Sequence, residues 1–230
     1  MISQYGIILL GYFCFHSIIS KFYLQDLPKY PIFFPNITYP FFVTLMKDNH
    51  TELRGCIGTF ENASLSTELH KIALKSAFSD HRFYPLKYEE LDDLSIEISL
   101  LYDFKLLARW DDWIPGVHGI KIIFEERGNE LSSTFLPHVP IKNNMTKEDT
   151  IQQLILKAGS RRSFKSLINN IKVISYLTME KYCTYKDYLE FIKMYPYIFD
   201  NVHLEHNQGQ INYYSTIFNP FFNITQSKYK

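Results

Sequence analysis

Apolar residues fill positions 5–19 with almost no polar stripe, and the pattern predicts a helix over about 5–23. Pro28, Pro31, Pro35 and Pro40 follow and impose an extended arm, because proline cannot donate to a sheet ladder. Two strands are expected at 41–45 and 53–60, joined by a polar loop of hairpin length at 47–51. Leu65, Leu69, Ile72, Ala73, Ser76 and Ala77 recur at helical spacing, so a core-facing helix follows and stops near Asp80, ahead of Pro85. Ile96, Ile98 and Leu100 alternate with Ser95, Glu97 and Ser99, the pattern of a half-buried strand. Further strands are predicted at 120–124, at 134–139 after the turn Arg127-Gly128-Asn129, and at 171–177. Thr146 with Asp149 reads as a capping box opening a helix that Gly159 stops, and 184–194 reads as a last helix. Strands and helices interleave without regular alternation, which predicts an α+β fold of mixed or antiparallel sheet flanked by helices. No repeat or Gly/Ser linker divides the chain, so 1–200 reads as one domain and 201–230 as a polar tail, expected to be disordered or draped on the surface.

The segment Leu53-Arg54-Gly55-Cys56-Ile57-Gly58-Thr59-Phe60 departs from an ordinary core strand. Glycine inside a strand marks a bulge or a close approach by backbone or ligand. In an extended segment the two-residue period puts Arg54 and Cys56 on one face, where a guanidinium favours the thiolate. The competing interpretation is structural, since free cysteine commonly acts as a small buried hydrophobe and the glycines can serve a bulge alone.

This octapeptide resembles the signature of the AMMECR family, and the resemblance extends along the chain. It includes Phe42-Val43-Thr44-Leu45, the block Ser76-Ala77-Phe78-Ser79-Asp80-His81-Arg82-Phe83-Tyr84-Pro85, Ser99-Leu100-Leu101, Trp113, and Gly116 with His118-Gly119-Ile120. Thr134-Phe135-Leu136-Pro137, Lys157-Ala158-Gly159 and Tyr185-Lys186-Asp187-Tyr188-Leu189 continue it, so the match spans roughly 12–189. The resemblance implies two lobes with a cleft, and, through prokaryotic relatives encoded beside Memo-like and radical SAM proteins, chemistry in a shared pathway. It implies no settled activity. This chain has Met145 where relatives commonly carry tryptophan, and Ser175-Tyr176-Leu177 where many carry an Arg-Tyr-Arg segment.

Composition narrows the partners. Twenty-four basic residues balance 24 acidic ones, so no global field favours nucleic acid or an anionic membrane, and a small ligand or a protein partner is expected. Cys14, Cys56 and Cys183 are odd in number and widely spaced, which suits a reducing, intracellular compartment, cytoplasmic or nuclear. No Lys or Arg precedes Lys21, and His16 and Ser17 interrupt the apolar run, so a signal peptide or membrane anchor is not expected. The five sequons, starting at Asn36, Asn49, Asn62, Asn144 and Asn223, carry no meaning without secretion.

The candidate chemistry gathers around Cys56. Asp80 and His118 are candidate proton-moving partners for a Cys56 nucleophile, with His81 ranked behind His118. Arg54, Gly55, Gly58, Thr59, Arg82 and Phe83 are the candidate ligand-binding residues. Asp80 and Arg82 could equally close the helix end. His203 and His206 lack a carboxylate or thiol partner and make no metal site, no phosphate loop is present, and no cofactor is called for. The basic run Lys157, Arg161, Arg162 and Lys165 reads as a solvated face. Two functions remain in competition: a ligand- or protein-binding module and a cysteine-dependent enzyme.

Overall fold

The computed structural model describes residues 2–31, 34 and 36–199. The expected polar tail and its two histidines lie outside them. The fold is α+β, with a six-stranded sheet whose strands lie in the order β2 (Glu52–Ser64), β1 (Thr38–Lys47), β3 (Ser95–Leu106), β6 (Lys172–Thr184), β4 (Gly119–Glu126) and β5 (Asn129–Phe135). Contacts divide the chain into two compact units, one formed by the part up to Leu100 with the part from Met179 onward, the other by Leu101–Thr178.

In the first unit, helix α1 (Gln4–Phe22) starts at Ser3, whose hydroxyl accepts from the Gly6 N–H. Leu9, Leu10, Phe13, Cys14, Phe15 and Ile18 are fully buried, as expected of a helix that is apolar nearly all round and packed into a core. Among the described residues α1 is also the helix long and apolar enough, by length and composition, to cross a membrane. Burial pushes the Cys14 and Cys183 thiols up, and none of the three cysteines forms a disulfide. Strands β1 (Thr38–Lys47) and β2 (Glu52–Ser64) form the expected hairpin, each longer than its apolar run. Helix α2 (Leu65–Phe78) buries the predicted stripe of Leu65, Leu69, Ile72, Ala73, Ser76 and Ala77. A 3-10 turn (Tyr88–Asp93) leads into β3 (Ser95–Leu106), which pairs antiparallel with β1. Ser95 and Ser99 are buried, so this strand is covered on its polar face as well, unlike the half-buried strand its alternation suggests. Helix α6 (Tyr185–Met194) is opened by a capping box in which Thr184 and Asp187 bond reciprocally.

In the second unit, β4 (Gly119–Glu126) turns through Arg127 and Gly128, both at positive φ, directly into β5 (Asn129–Phe135). Such a two-residue turn closes the ladder at once, with Glu126 opposite Asn129. The expected strand at 134–139 is therefore displaced toward the N-terminus, and His138–Lys142 forms a short helix, α3. Helix α4 (Lys147–Lys157) carries the predicted Thr146–Asp149 box, and Gly159, at φ +92°, follows its end. A one-turn helix, α5 (Phe164–Leu167), precedes β6 (Lys172–Thr184), which pairs antiparallel with β4. Ile120, Ile122, Phe124, Ile151, Leu154 and Ile155 form this unit's core.

Candidate functional site

The geometry around Cys56 begins with a bulge. Leu45 faces Gly55 but Met46 faces Leu53, so Arg54 is the extra residue in β2 and the two-residue period fails there. The Arg54 side chain accordingly turns to the 3-10 turn. Its Nε and Nη2 donate to the two carboxylate oxygens of Glu90 at 2.8 and 3.0 Å, and Nη2 also donates to the Tyr84 carbonyl at 2.9 Å. Glu90 further accepts from Lys47 Nζ and from the Lys87 N–H, and chiefly the Arg54 bonds hold its carboxyl down at about 2.

Cys56 is gripped through its backbone by the loop after α2. Its N–H donates to Asp80 Oδ2 at 2.9 Å, and its carbonyl accepts from Arg82 Nη2 at 3.1 Å. Arg82 closes on the same carboxylate, Nε to Oδ1 at 2.9 Å and Nη2 to Oδ2 at 2.6 Å, while its own N–H reaches Oδ1 at 3.2 Å. Asp80 is 3% exposed and accepts four hydrogen bonds, the capacity of a carboxylate. The Arg82 bonds are the main reason that its carboxyl lies well below the usual range, with the Cys56 N–H contributing. An acceptor so filled is poorly suited to taking a proton at neutral pH. The Arg82 guanidinium is raised chiefly by Asp80, and Cys56 adds to that in the same direction.

The Cys56 thiol is half-buried and accepts from Thr44 Oγ1, its cross-strand neighbour, at 3.3 Å. Phe83 supports the loop from beneath, with Arg54 and Arg82 both over its ring, at 5.9 and 5.4 Å from the centroid. The electrostatic neighbour of Cys56 is thus Arg82, where the unbroken period suggested Arg54. Arg82→Ala is expected to slow alkylation of Cys56 at pH 7 severalfold, and Arg54→Ala to change it less, because the bulge turns Arg54 toward Glu90 and the Tyr84 carbonyl while Arg82 bonds to Cys56 itself. Rates of iodoacetamide labelling on the folded variants measure the difference.

The glycines of the motif admit neighbouring backbone. A Cβ on Gly55 would run into the Ser76 carbonyl of α2, and one on Gly58 into the Phe42 ring and the Phe41 carbonyl. Ser76 Oγ joins the elements, accepting from the Ile57 N–H at 3.0 Å and donating to the Val43 carbonyl at 2.9 Å. Beyond Cys56, a groove of about 480 Å³ lies between β2 and α2, lined by Ile57, Gly58, Thr59, Ser64, Glu68 and Lys75 among others. Thr59 Oγ1 accepts from the Glu61 N–H at its edge.

His118 belongs to the second unit, where its Nδ1 accepts from the Ile114 N–H at 3.1 Å. That contact fixes the remaining proton of the neutral ring on Nε2. Tyr176 covers Gly119 and bonds through its hydroxyl to Thr134 Oγ1 and the Phe135 carbonyl. His81 is exposed. No group of three or more potential metal ligands occurs among the described residues. The sequence did not mark Glu90 or Thr44 as site residues: Glu90 lies 36 residues from Arg54 with no shared motif, and the contact of Thr44 with Cys56 shows only once the hairpin register is known.

Comparison with known proteins places this geometry in a family. The family model described as AMMECR1 matches residues 12–180. An uncharacterised protein of Schizosaccharomyces pombe is 39% identical over 148 residues, covering 64% of this chain and 76% of its own length. One of Arabidopsis thaliana is 33% identical over 187 residues, covering 79% of this chain and 86% of its own. In three dimensions the chain is similar to the crystal structure of an uncharacterised protein from Pyrococcus horikoshii, with a TM-score of 0.69 and 26% identity over 79% of this chain and 93% of that one.

Proposed function

The chain belongs to the AMMECR1 family, and from that premise we propose that it is a binding module whose β2 segment and Asp80–Phe83 loop present Cys56 and the adjoining groove to a small ligand or a partner segment. One observation carries this: both charged partners of the motif are internally satisfied, Asp80 by Arg82 and the Cys56 N–H, Glu90 by Arg54, Lys47 and the Lys87 N–H. Such pairs fix a surface in place and leave little capacity for moving protons, whereas a cysteine nucleophile needs a base within hydrogen-bond reach. The polar, open groove beside Gly58 and Thr59 gives that surface a recess. Three cysteines outside any disulfide, two of them buried, fit a reducing intracellular setting.

The alternative, a cysteine-dependent enzyme, draws on the half-buried thiol next to Arg82. Labelling of Cys56 by iodoacetamide at neutral pH separates the two. A rate within about tenfold of a free thiol of ordinary pKa, about 8.5, supports the binding module. Fast stoichiometric labelling, orders of magnitude above that reference and abolished by Asp80→Asn, overturns it in favour of the enzyme.

A further inference from the structure

Across the sheet from Cys56 stands a second set of functional groups that lies outside the motif. Thr44 is the cross-strand partner of both Cys56 on β2 and Glu97 on β3, so the three share one face, with about 10 Å between the outer two backbones. Ser95 and Ser99 lie two residues to either side of Glu97 on that face, whereas Ile96, Ile98 and Leu100 point into the apolar core. Ser99 is fully buried and its hydroxyl has no hydrogen-bond partner among the described residues. Burying an unbonded hydroxyl costs free energy, and native proteins tolerate it mainly where something else supplies the bond. Glu97 is half-buried, and it too makes no hydrogen bond or ion pair among the described residues. Burial, and after it the charge of Glu180 on β6, pushes its carboxyl up to about 7.

The titratable and charged groups around Glu97 in this unit set the sign of what it can receive. Glu180 faces it from β6, Cys56 stands two strands away on β2, and Arg82, engaged by Asp80, lies beyond Cys56. At the other end His50 bonds to the Ser95 hydroxyl and lies against Tyr182 with 3.8 Å between ring centroids. Glu97 lies two residues from the unbonded hydroxyl on the same face, and Glu180 acts on Glu97 from β6. An anion would be opposed by both of them, while an ammonium would relieve the Glu97–Glu180 repulsion and donate to the acceptors left open at Glu97 and Ser99.

We propose that this face of the first unit, built from Glu97, Glu180, Ser99 and Thr44 beside Cys56, is a binding site for a primary-amine group of a small ligand. The assignment rests on reading the Cys56 surface as a binding surface. Glu97 releases its proton when the amine enters, so the site takes up the cation more strongly as the pH rises through 7. Because the competent, ionised form is scarce at pH 6 and dominant at pH 8, the apparent affinity rises about tenfold between them.

Titration of the full chain with methylamine, ethanolamine and putrescine, followed by the ¹³C carboxyl resonance of Glu97, tests this directly. Ethylene glycol and acetate serve as neutral and anionic controls. The expected result is a saturable shift with at least one amine and not with the controls, with binding about tenfold tighter at pH 8 than at pH 6. Glu97→Gln, read by isothermal calorimetry with the same amine, is expected to weaken binding at pH 8 severalfold and to abolish its pH dependence. Ser99→Ala is expected to weaken amine binding while leaving unfolding stability unchanged or raised, since it removes the buried unbonded hydroxyl. No saturable shift with any of the three amines, pH-independent binding, or wild-type binding by Glu97→Gln overturns the proposal. If it is overturned while Cys56 labels at the ordinary rate, the ligand class falls and the binding reading stands.

Discussion

Gly55→Ala is expected to destabilise the first unit by about 3 kcal/mol, at the upper end for a single added methyl group in a packed interior. The new Cβ meets the Ser76 carbonyl of α2, a main-chain atom that no rotamer change can move aside. Separating β2 from α2 stretches both bonds of the Ser76 hydroxyl, to Ile57 and Val43, and opens the packing of Leu45 and Ala77. Urea unfolding monitored by far-ultraviolet circular dichroism measures the loss. A variant that unfolds at the wild-type midpoint would show that α2 does not pack on the motif strand as described.

Asp80→Ala is expected to cost about 2–3 kcal/mol at neutral pH, because it strips a charged partner from Arg82 and leaves the Cys56 N–H without its acceptor. The Arg82 side chain is 46% exposed, so water offsets part of the loss, and the cost stays below that of a fully buried pair. The pH dependence follows from the direction of the shift. The folded carboxyl of Asp80 lies well below its unfolded value of about 3.9, so its contribution is complete above that value and declines as the pH falls through the folded one. Glu90, held at about 2, behaves alike. The stability gap between wild type and Asp80→Ala is thus flat from pH 5 to pH 8 and narrows below about pH 4. Glu97 runs the other way. Its folded carboxyl is raised to about 7, so it reduces stability as the pH climbs from about 4.3 to 7 and no further above that.

The elements that carry local signals were legible in the chain. Thr146 and Asp149 announced α4 because a capping box is made within four residues, and the stripe from Leu65 to Ala77 announced α2 because its burial repeats every turn. The start of β5 was not legible, since Asn129, Glu130, Ser132 and Ser133 have little strand preference of their own and are extended by pairing with β4. The site divides along the same line. Cys56, Asp80, Arg82 and Phe83 stood out as residue types within two short blocks, and they do meet around one loop. What Arg54 does was hidden by the bulge, which shows only in the β1–β2 register. Glu97 looked like an ordinary solvent-facing position in an alternating strand, because alternation reveals which residues share a face and not whether that face is covered.

On the proposed reading, Cys56 belongs to a surface that holds its ligand without bonding to it covalently. Mass spectrometry of the purified full chain after incubation with a small-molecule extract, recorded under native and then denaturing conditions, tests it most directly. The predicted result is an adduct seen under native conditions, present on Cys56→Ser as well, and absent after denaturation. An adduct that survives denaturation on Cys56, and is missing from Cys56→Ser, would contradict the account and establish the thiol as a nucleophile.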